Sequence, residues 1–400
     1  MNKISLLKNP IQEYAWGSTT KIQSLIGAET KGKPMAEMWM GAHSKAPSLV
    51  LINGAWQSLD DVIRESPEAI LGKSVAEKFS NHLPFLFKVL AAERPLSVQV
   101  HPNREQAQEG YTRETKLGIP IHAPNRNYKD SHHKPEILCA LTPFQGLLGF
   151  RKIEEMLALM DRLSLSTISD ELNLLRKEPD RHGLKTFFSG LMAMDYTRRR
   201  DITGEAASAA GKNAREDEAF QWITELNKEY PGDIGILLPV MLNLFQLEPG
   251  EAIYLPAGAL HAYLNGFGIE LMANSDNVLR GGLTPKYMDV PELLKIVTFD
   301  TGPVRKVEAS NSDECRTVFQ TPAKEFILSM ILVDNDRSFT SDGYRSVEIL
   351  ICFRGKATIE DLDSNETLSV TQGQSFIVPS AASRYQIHGN ATFYMASIPL

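Results

Sequence analysis

The chain has 400 residues, 42% hydrophobic and 23% charged, with 27 Gly and 22 Pro. That is enough for about two or three domains, and too ordinary a composition for disorder, a collagen-like repeat or a coiled coil. A formal charge of −7, from 42 basic and 49 acidic residues, argues against a nucleic-acid partner yet leaves room for a small phosphorylated substrate held by a few local cations.

Residues 1 to about 150 read as strands and loops. The run 83–90 is densely apolar and aromatic, as suits a strand buried on both faces. Over 96–102, Ser97, Gln99 and His101 alternate with Val98 and Val100, which sets three polar side chains on one strand face and two valines on the other. That polar face reads as a site. A charged loop is expected over 103–132. In Lys134-Pro135-Glu136 the proline forces Lys134 to be extended, so Lys134 and Glu136 share a face. His132 and His133 are neighbours on extended chain and point opposite ways, and His133 is the one expected to face the cavity.

Between about 151 and 233 the period becomes helical. Ile153, Met156, Leu157, Met160 and Leu163 form one such set, and Leu184, Phe187, Phe188, Leu191 and Met192 a second. Phe220, Ile223, Leu226 and Tyr230 form a third, preceded by Glu216, Asp217 and Glu218, whose charges favour a helix N-terminus. The small-residue stretch 204–213 is expected to be a loop, and the Arg198, Arg199, Arg200 run a solvated helix end. Strands return near 235, with 241–247 and 252–255 flanking a Pro249-Gly250 turn, and dominate 310–400.

Two late segments share a pattern. Residues 249–256 parallel residues 372–379, each with Gly, five residues, then Pro. The first copy continues through Gly258, His261 and Asn265, while the second has Ala381 and Arg384 in place of Gly258 and His261. The first resembles the second signature of the cupin superfamily, Gx5PxGx2Hx3N, at every fixed position. The second resembles a cupin that has lost its metal histidine. The expected fold is therefore mainly β with a helical insert: two cupin-type jelly rolls plus an all-α domain. The metal-binding roll would comprise 1–150 with 235–309, the insert 151–234, and a degenerate roll 310–400.

Gln99, His101, Glu136 and His261 make a nitrogen and oxygen ligand set without thiolate. Such a set suits a catalytic divalent ion that keeps one position open, zinc first, with Mn, Co or Fe also acceptable. The segment 270–289 is dense in polar groups; Gly281 and Gly282 allow a close wrap around a ligand, and Arg280 and Lys286 can balance an anion or oxyanion. His43, His82, His122, His182 and His388 have no partner spacing and read as structural or exposed. Three well-separated cysteines (Cys139, Cys315, Cys352) and no signal-like or bilayer-length apolar run point to a cytoplasmic chain with no membrane partner. No amphipathic seam marks an interface, which points to a monomer.

The motifs YAWG at 14–17, AEMWMG at 36–41, PFLFK at 84–88, LSVQVHPN at 96–103, NYKD at 127–130, HKPE at 133–136 and SDNVLR at 275–280 resemble type I mannose-6-phosphate isomerase, a cupin family. One departure is His132, where bacterial relatives commonly carry Asn. The resemblance implies one zinc ion per chain on Gln99, His101, Glu136 and His261, and makes Arg280 the catalytic arginine. Lys134, His133 and Glu270 would surround the substrate, with Trp16, Lys286 and Ser97 close to it. The implied reaction interconverts D-mannose 6-phosphate and D-fructose 6-phosphate through a cis-enediolate, feeding mannose catabolism and GDP-mannose synthesis. Lys134, Glu270 and His133 remain alternatives for the base. Three rival readings stay open: an isomerase for another sugar phosphate, a non-catalytic sugar-phosphate-binding cupin, and a redox oxygenase.

Overall fold

The computed structural model describes residues 2–382 and 384–400. Within them the protein is built from two antiparallel sheets and a helical region between residues 153 and 241. The sheet that carries the site runs in the order Leu242–Leu247, Phe144–Phe150, His261–Ala273, Phe85–Ala92, Glu37–Met40, Ile11–Gln12. Glu136–Ala140 and Val98–Val100 also pair with His261–Ala273, and carry Ala252–Leu255 and Leu279–Gly282 on their far sides.

His261–Ala273 is the pivot of this half. Its first residues pair with Phe144–Phe150 and Val98–Val100, and residues from Gly266 onward pair with Phe85–Ala92 and Glu136–Ala140. The change of partners falls at Gly266, whose φ of 143° and close approach to Phe144 leave no space for a Cβ. Phe85–Ala92 is buried at every position, as a strand covered on both faces must be. Val98 and Val100 are fully buried in a core shared with Phe150, Phe188, Phe220 and Leu237. The helical region therefore anchors one face of the Ser97–Gln99–His101 strand, each valine contributing about 1.5–3 kcal/mol, and leaves the other face for the site.

Three expectations are corrected. The N-terminal residues do not all belong with the site-bearing sheet: Ser5–Lys8 pairs with Ser375–Val378 and with Leu49–Ile52, which pairs with Ala55–Ser58. Ile4 and Leu6 pack into the C-terminal core while Leu7 enters the core between the two sheets, so this strand has apolar partners on both faces. Residues 103–132 are not a plain loop, for Arg104–Lys116 is a helix. It starts on a capping box in which Asn103 Oδ1 accepts from the Gln106 N–H and Gln106 Oε1 accepts from the Asn103 N–H, both at 2.9 Å. Residues 204–213 are not a loop either, but lie inside the helix Tyr196–Asn213. Ile202, Ala206 and Ala210 recur at helical spacing and are buried, Asp195 caps the start, and Gly204 and Gly211 face open space. The Arg198 to Arg200 run sits in the first turns of this helix, Arg198 paired with Glu171.

The second half is the other sheet, in the order Ala309–Asn311, Arg316–Phe319, Ile327–Val333, Tyr385–Ser397, Glu348–Asp361, Ser375–Val378, then the N-terminal strands. Arg384, at the position of the missing histidine, is exposed and donates from Nε to Ser341 O at 3.3 Å. No helix among the described residues is long and apolar enough to cross a membrane.

Candidate metal centre

Three of the four expected ligands converge. His101 follows the Val98–Val100 strand, and its carbonyl accepts the Gly258 N–H at 2.9 Å. Gly258 has φ +81°, and a Cβ there would meet Thr298, so the glycine of the signature lets this turn lie against His101. His261 opens its strand and Glu136 opens Glu136–Ala140, where it lies in register between Leu255 and Met272. The donor atoms of His101, Glu136 and His261 all lie within 4.8 Å of one another.

The chemistry of the set fits a divalent metal. His101 Nδ1 donates to Asn277 O at 2.8 Å and His261 Nδ1 to Ala259 O at 3.0 Å. A carbonyl can only accept, so both rings carry their hydrogen on Nδ1 and turn the Nε2 lone pair inward. Glu136 Oε2 lies 3.4 Å from His101 Nε2 and 3.5 Å from His261 Nε2. His101 Nε2 is buried without a hydrogen-bond partner among the described residues, a costly arrangement that a bound cation removes. Burial, then Lys134, brings the His101 ring down to about 4, and burial also lowers His261. Burial pulls Glu136 upward, but Lys134 and His101 outweigh it and hold the carboxyl well below its usual range. Two neutral imidazoles and a carboxylate are the ligand forms a metal requires.

Gln99 stands directly opposite His261 on one neighbouring strand and opposite Arg280 on the other. Cross-strand partners share a face, so the row His261, Gln99, Arg280 sets an amide between a metal-type imidazole and a guanidinium. Lys134 Nζ lies 3.1 Å from Glu136 Oε1, on the shared face that the extended Lys134-Pro135-Glu136 run implied. Ser97 is half-buried, one alternation before Gln99.

Glu270 is buried, and its two oxygens are committed: Oε2 to Lys88 Nζ at 2.7 Å and Oε1 to the Tyr263 hydroxyl at 2.9 Å. Lys88 also lies 3.8 Å from Glu37 Oε1, and Glu37 Oε2 accepts from Trp39 Nε1 at 2.6 Å. Burial pulls the Lys88 amine downward, but Glu270 and then Glu37 outweigh it and raise its pKa above the lysine range. The sequence reading passed over Lys88 and Glu37, although a lysine inside the otherwise apolar run 83–90 is itself a signal, since a buried amine needs a carboxylate.

A cluster of cations borders the centre. Arg280 is half-buried, its pKa lowered by burial, and forms no ion pair among the described residues. Lys286 is exposed and lowered by desolvation and by Arg280; half-buried Lys129 is lowered by desolvation and then by Lys45. Arg280 and Lys286 also push Lys129 down, so these charges face a common region. Lys45 Nζ meets Asp276 Oδ2 at 2.6 Å, and His43 Nε2 lies 3.4 Å from Asp276 Oδ1, which brings His43 to the rim despite its lack of sequence partners. Asn277 fastens this rim to the metal centre: its Oδ1 accepts the Lys129 N–H at 2.7 Å while its own carbonyl holds His101. Trp16 stacks on Tyr14 with ring centroids 5.7 Å apart, and Glu37 and Lys88 act on Tyr14 electrostatically. His132 turns outward to Asp130, whereas His133 turns to Glu325, 2.8 Å away, in the connection between two strands of the C-terminal sheet.

The family described as phosphomannose isomerase type I, catalytic domain, matches residues 4–153. The mannose-6-phosphate isomerase of Salmonella typhimurium is 39% identical over 388 residues, 96% of each chain. That of Escherichia coli is 38% identical over 387 residues, 96% of this chain and 97% of the other. A crystal structure of a mannose 6-phosphate isomerase with zinc bound superposes with a TM-score of 0.92 at 36% identity, over 99% of this chain and 100% of that one. With site and likeness extending over nearly the whole length, the chain belongs to the type I mannose-6-phosphate isomerase family.

Proposed function

We propose that the protein interconverts D-mannose 6-phosphate and D-fructose 6-phosphate, with one zinc ion held by His101, Glu136, His261 and Gln99. The row His261, Gln99, Arg280 carries the reading, because it places metal-type donors beside a cation that has no carboxylate partner among the described residues. Zinc, when bound, supplies the Lewis acidity that makes the proton beside the sugar carbonyl removable.

The chain's own groups do the rest. Arg280 offers fixed positive charge to the cis-enediolate oxygens that develop when that proton leaves. Lys129 and Lys286, close to Arg280 in charge terms, fit the phosphate dianion at the mouth. Trp16 and Tyr14 give a flat apolar wall suited to the face of a sugar. Lys134 and His133 are the groups assigned to proton transfer. Glu270 acts by holding Lys88, since neither of its oxygens is spare. Ser97 lines the same strand face. The reading includes a monomer acting on a small sugar phosphate in the cytoplasm, without nucleic acid or membrane; the unpaired state of Cys139, Cys315 and Cys352 supports a reducing compartment.

The test is NMR of zinc-loaded protein incubated separately with mannose 6-phosphate and glucose 6-phosphate. Fructose 6-phosphate formed from the mannose ester and far more slowly from the glucose ester supports the assignment. A faster reaction with the glucose ester moves it to another sugar phosphate, and binding of both without turnover moves it to a sensor.

A further inference from the structure

His133 precedes Lys134 by one residue and Glu136 by three, yet its ring is held by a distant part of the chain. Its Nε2 lies 2.8 Å from Oε1 of Glu325, which sits between the strands Arg316–Phe319 and Ile327–Val333 of the C-terminal sheet. Arg104, the first residue of its helix and three past His101, donates from Nη2 to that same oxygen at 2.9 Å. The two partners of that oxygen are themselves adjacent, with Arg104 Nη2 3.4 Å from His133 Nε2. One carboxylate oxygen, from the connection between two strands of the C-terminal sheet, therefore ties together two segments that flank the metal centre.

Glu325 is firmly placed. It is 5% exposed, the following Phe326 has no exposed surface, and its Oε2 accepts the Lys324 N–H at 3.1 Å. His132, turned toward Asp130, and Tyr254 also feel its charge. A buried carboxylate has to be matched by donors, and here the donors are His133 and Arg104. By accepting from Nε2 it fixes the hydrogen of the neutral ring there, so Nδ1 becomes the basic nitrogen and the ring plane is held. Proton transfer is sensitive to such placement, and carboxylates behind a working histidine commonly contribute one to two orders of magnitude in activity.

We propose that Glu325 is a positioning residue: the C-terminal sheet orients His133 beside the metal centre through this carboxylate, and so takes part in the reaction without supplying a ligand. The proposal rests on the isomerase reading above, in which His133 handles a proton.

A double-mutant cycle with Glu325→Gln and His133→Asn tests it, together with Glu325→Asp and nitrogen-15 NMR of the His133 ring. In Glu325→Gln, kcat falls about tenfold with KM within about threefold, and zinc content is unchanged. Glu325→Asp recovers most of the rate, and in the His133→Asn background Glu325→Gln costs less than about twofold. NMR of the unmutated protein shows the neutral ring protonated on Nε2. Losses that multiply in the double variant, a wild-type rate in Glu325→Gln, or a His133 ring protonated on Nδ1 overturn the proposal. Absence of turnover in the unmutated protein overturns the isomerase reading, and the NMR result still decides whether Glu325 orients His133.

Discussion

Glu348 occupies in the C-terminal sheet the position that Glu136 occupies in the metal-bearing one. Each lies in register with the residue just before the proline that ends a Gly-x5-Pro segment: Leu255 opposite Glu136 and Val378 opposite Glu348. Glu136 faces two imidazoles. Glu348 instead accepts from the Tyr385 hydroxyl at 2.9 Å and lies 3.9 Å from Arg345 Nε. The second roll has kept the carboxylate and balanced it with a guanidinium.

That arrangement predicts an asymmetry in stability. Without Glu348, Arg345 still donates to Pro379 O and Ala382 O at 3.1 and 2.7 Å and packs over the Tyr385 ring. Without Arg345, the buried carboxylate of Glu348, already raised by burial, keeps the Tyr385 hydroxyl and the weaker influence of the Arg316 charge among the described residues. Arg345→Met should cost about 3–5 kcal/mol in urea unfolding at pH 7, and Glu348→Gln under about 2 kcal/mol. Equal losses would contradict the account.

The cation rim predicts a separation of binding from chemistry. Lys129→Met removes a half-buried charge that forms no ion pair among the described residues. KM for the phosphorylated sugar should rise about tenfold, or about 1.4 kcal/mol, with kcat within about threefold. Steady-state kinetics at two ionic strengths check this. A fall in kcat at constant KM would place Lys129 at the reacting carbons instead.

Asn277 joins the rim to the metal centre. Its Nδ2 donates to Asp130 O and His132 O at 2.8 and 2.9 Å, while its carbonyl receives His101 Nδ1. Asn277→Ala leaves that carbonyl in place but frees the segment that holds it. Zinc affinity, measured against a chromophoric chelator, should fall about 10- to 100-fold. Affinity within twofold of the unmutated protein would show that His101 is oriented without the clip.

In the helical region, Glu205 accepts from the Ser166 N–H and hydroxyl, both at 2.6 Å, and from the Thr167 N–H at 3.0 Å. Burial pulls its carboxyl upward, but these bonds outweigh it and bring the pKa down to about 2. A depressed carboxylate stabilises the fold above the unfolded value, about 4.3, and that contribution is lost as pH falls toward about 2. Glu205→Gln should therefore flatten unfolding free energy between about pH 5 and 2, by on the order of 1 kcal/mol after solvent screening. Urea unfolding of both proteins across this range checks it; parallel curves would refute it.

Local geometry was legible in the sequence wherever it obeys a short period. The alternation of Ser97, Gln99 and His101, the extended Lys134-Pro135-Glu136 run, and the spacing from Gly250 to His261 each put side chains where the structure has them. What escaped is what depends on distant pairing. No period links Glu325 to His133, His43 to Asp276, or Ser5–Lys8 to Ser375–Val378. Lys88 was hidden because its neighbours are all core residues, and its carboxylate partners come from two other strands. The helix through 204–213 was missed because small residues resemble a loop in composition, although Ile202, Ala206 and Ala210 mark a buried stripe.

The most direct test of the central claim is zinc-dependent turnover. Purified protein is assayed for mannose 6-phosphate to fructose 6-phosphate conversion before and after chelation, after zinc add-back, and in His261→Ala, with bound zinc counted in each sample. The account predicts turnover that is lost on chelation, returns in proportion to zinc up to one ion per chain, and is absent in the variant. Turnover that persists without metal, or no turnover in folded protein carrying one zinc, would contradict it.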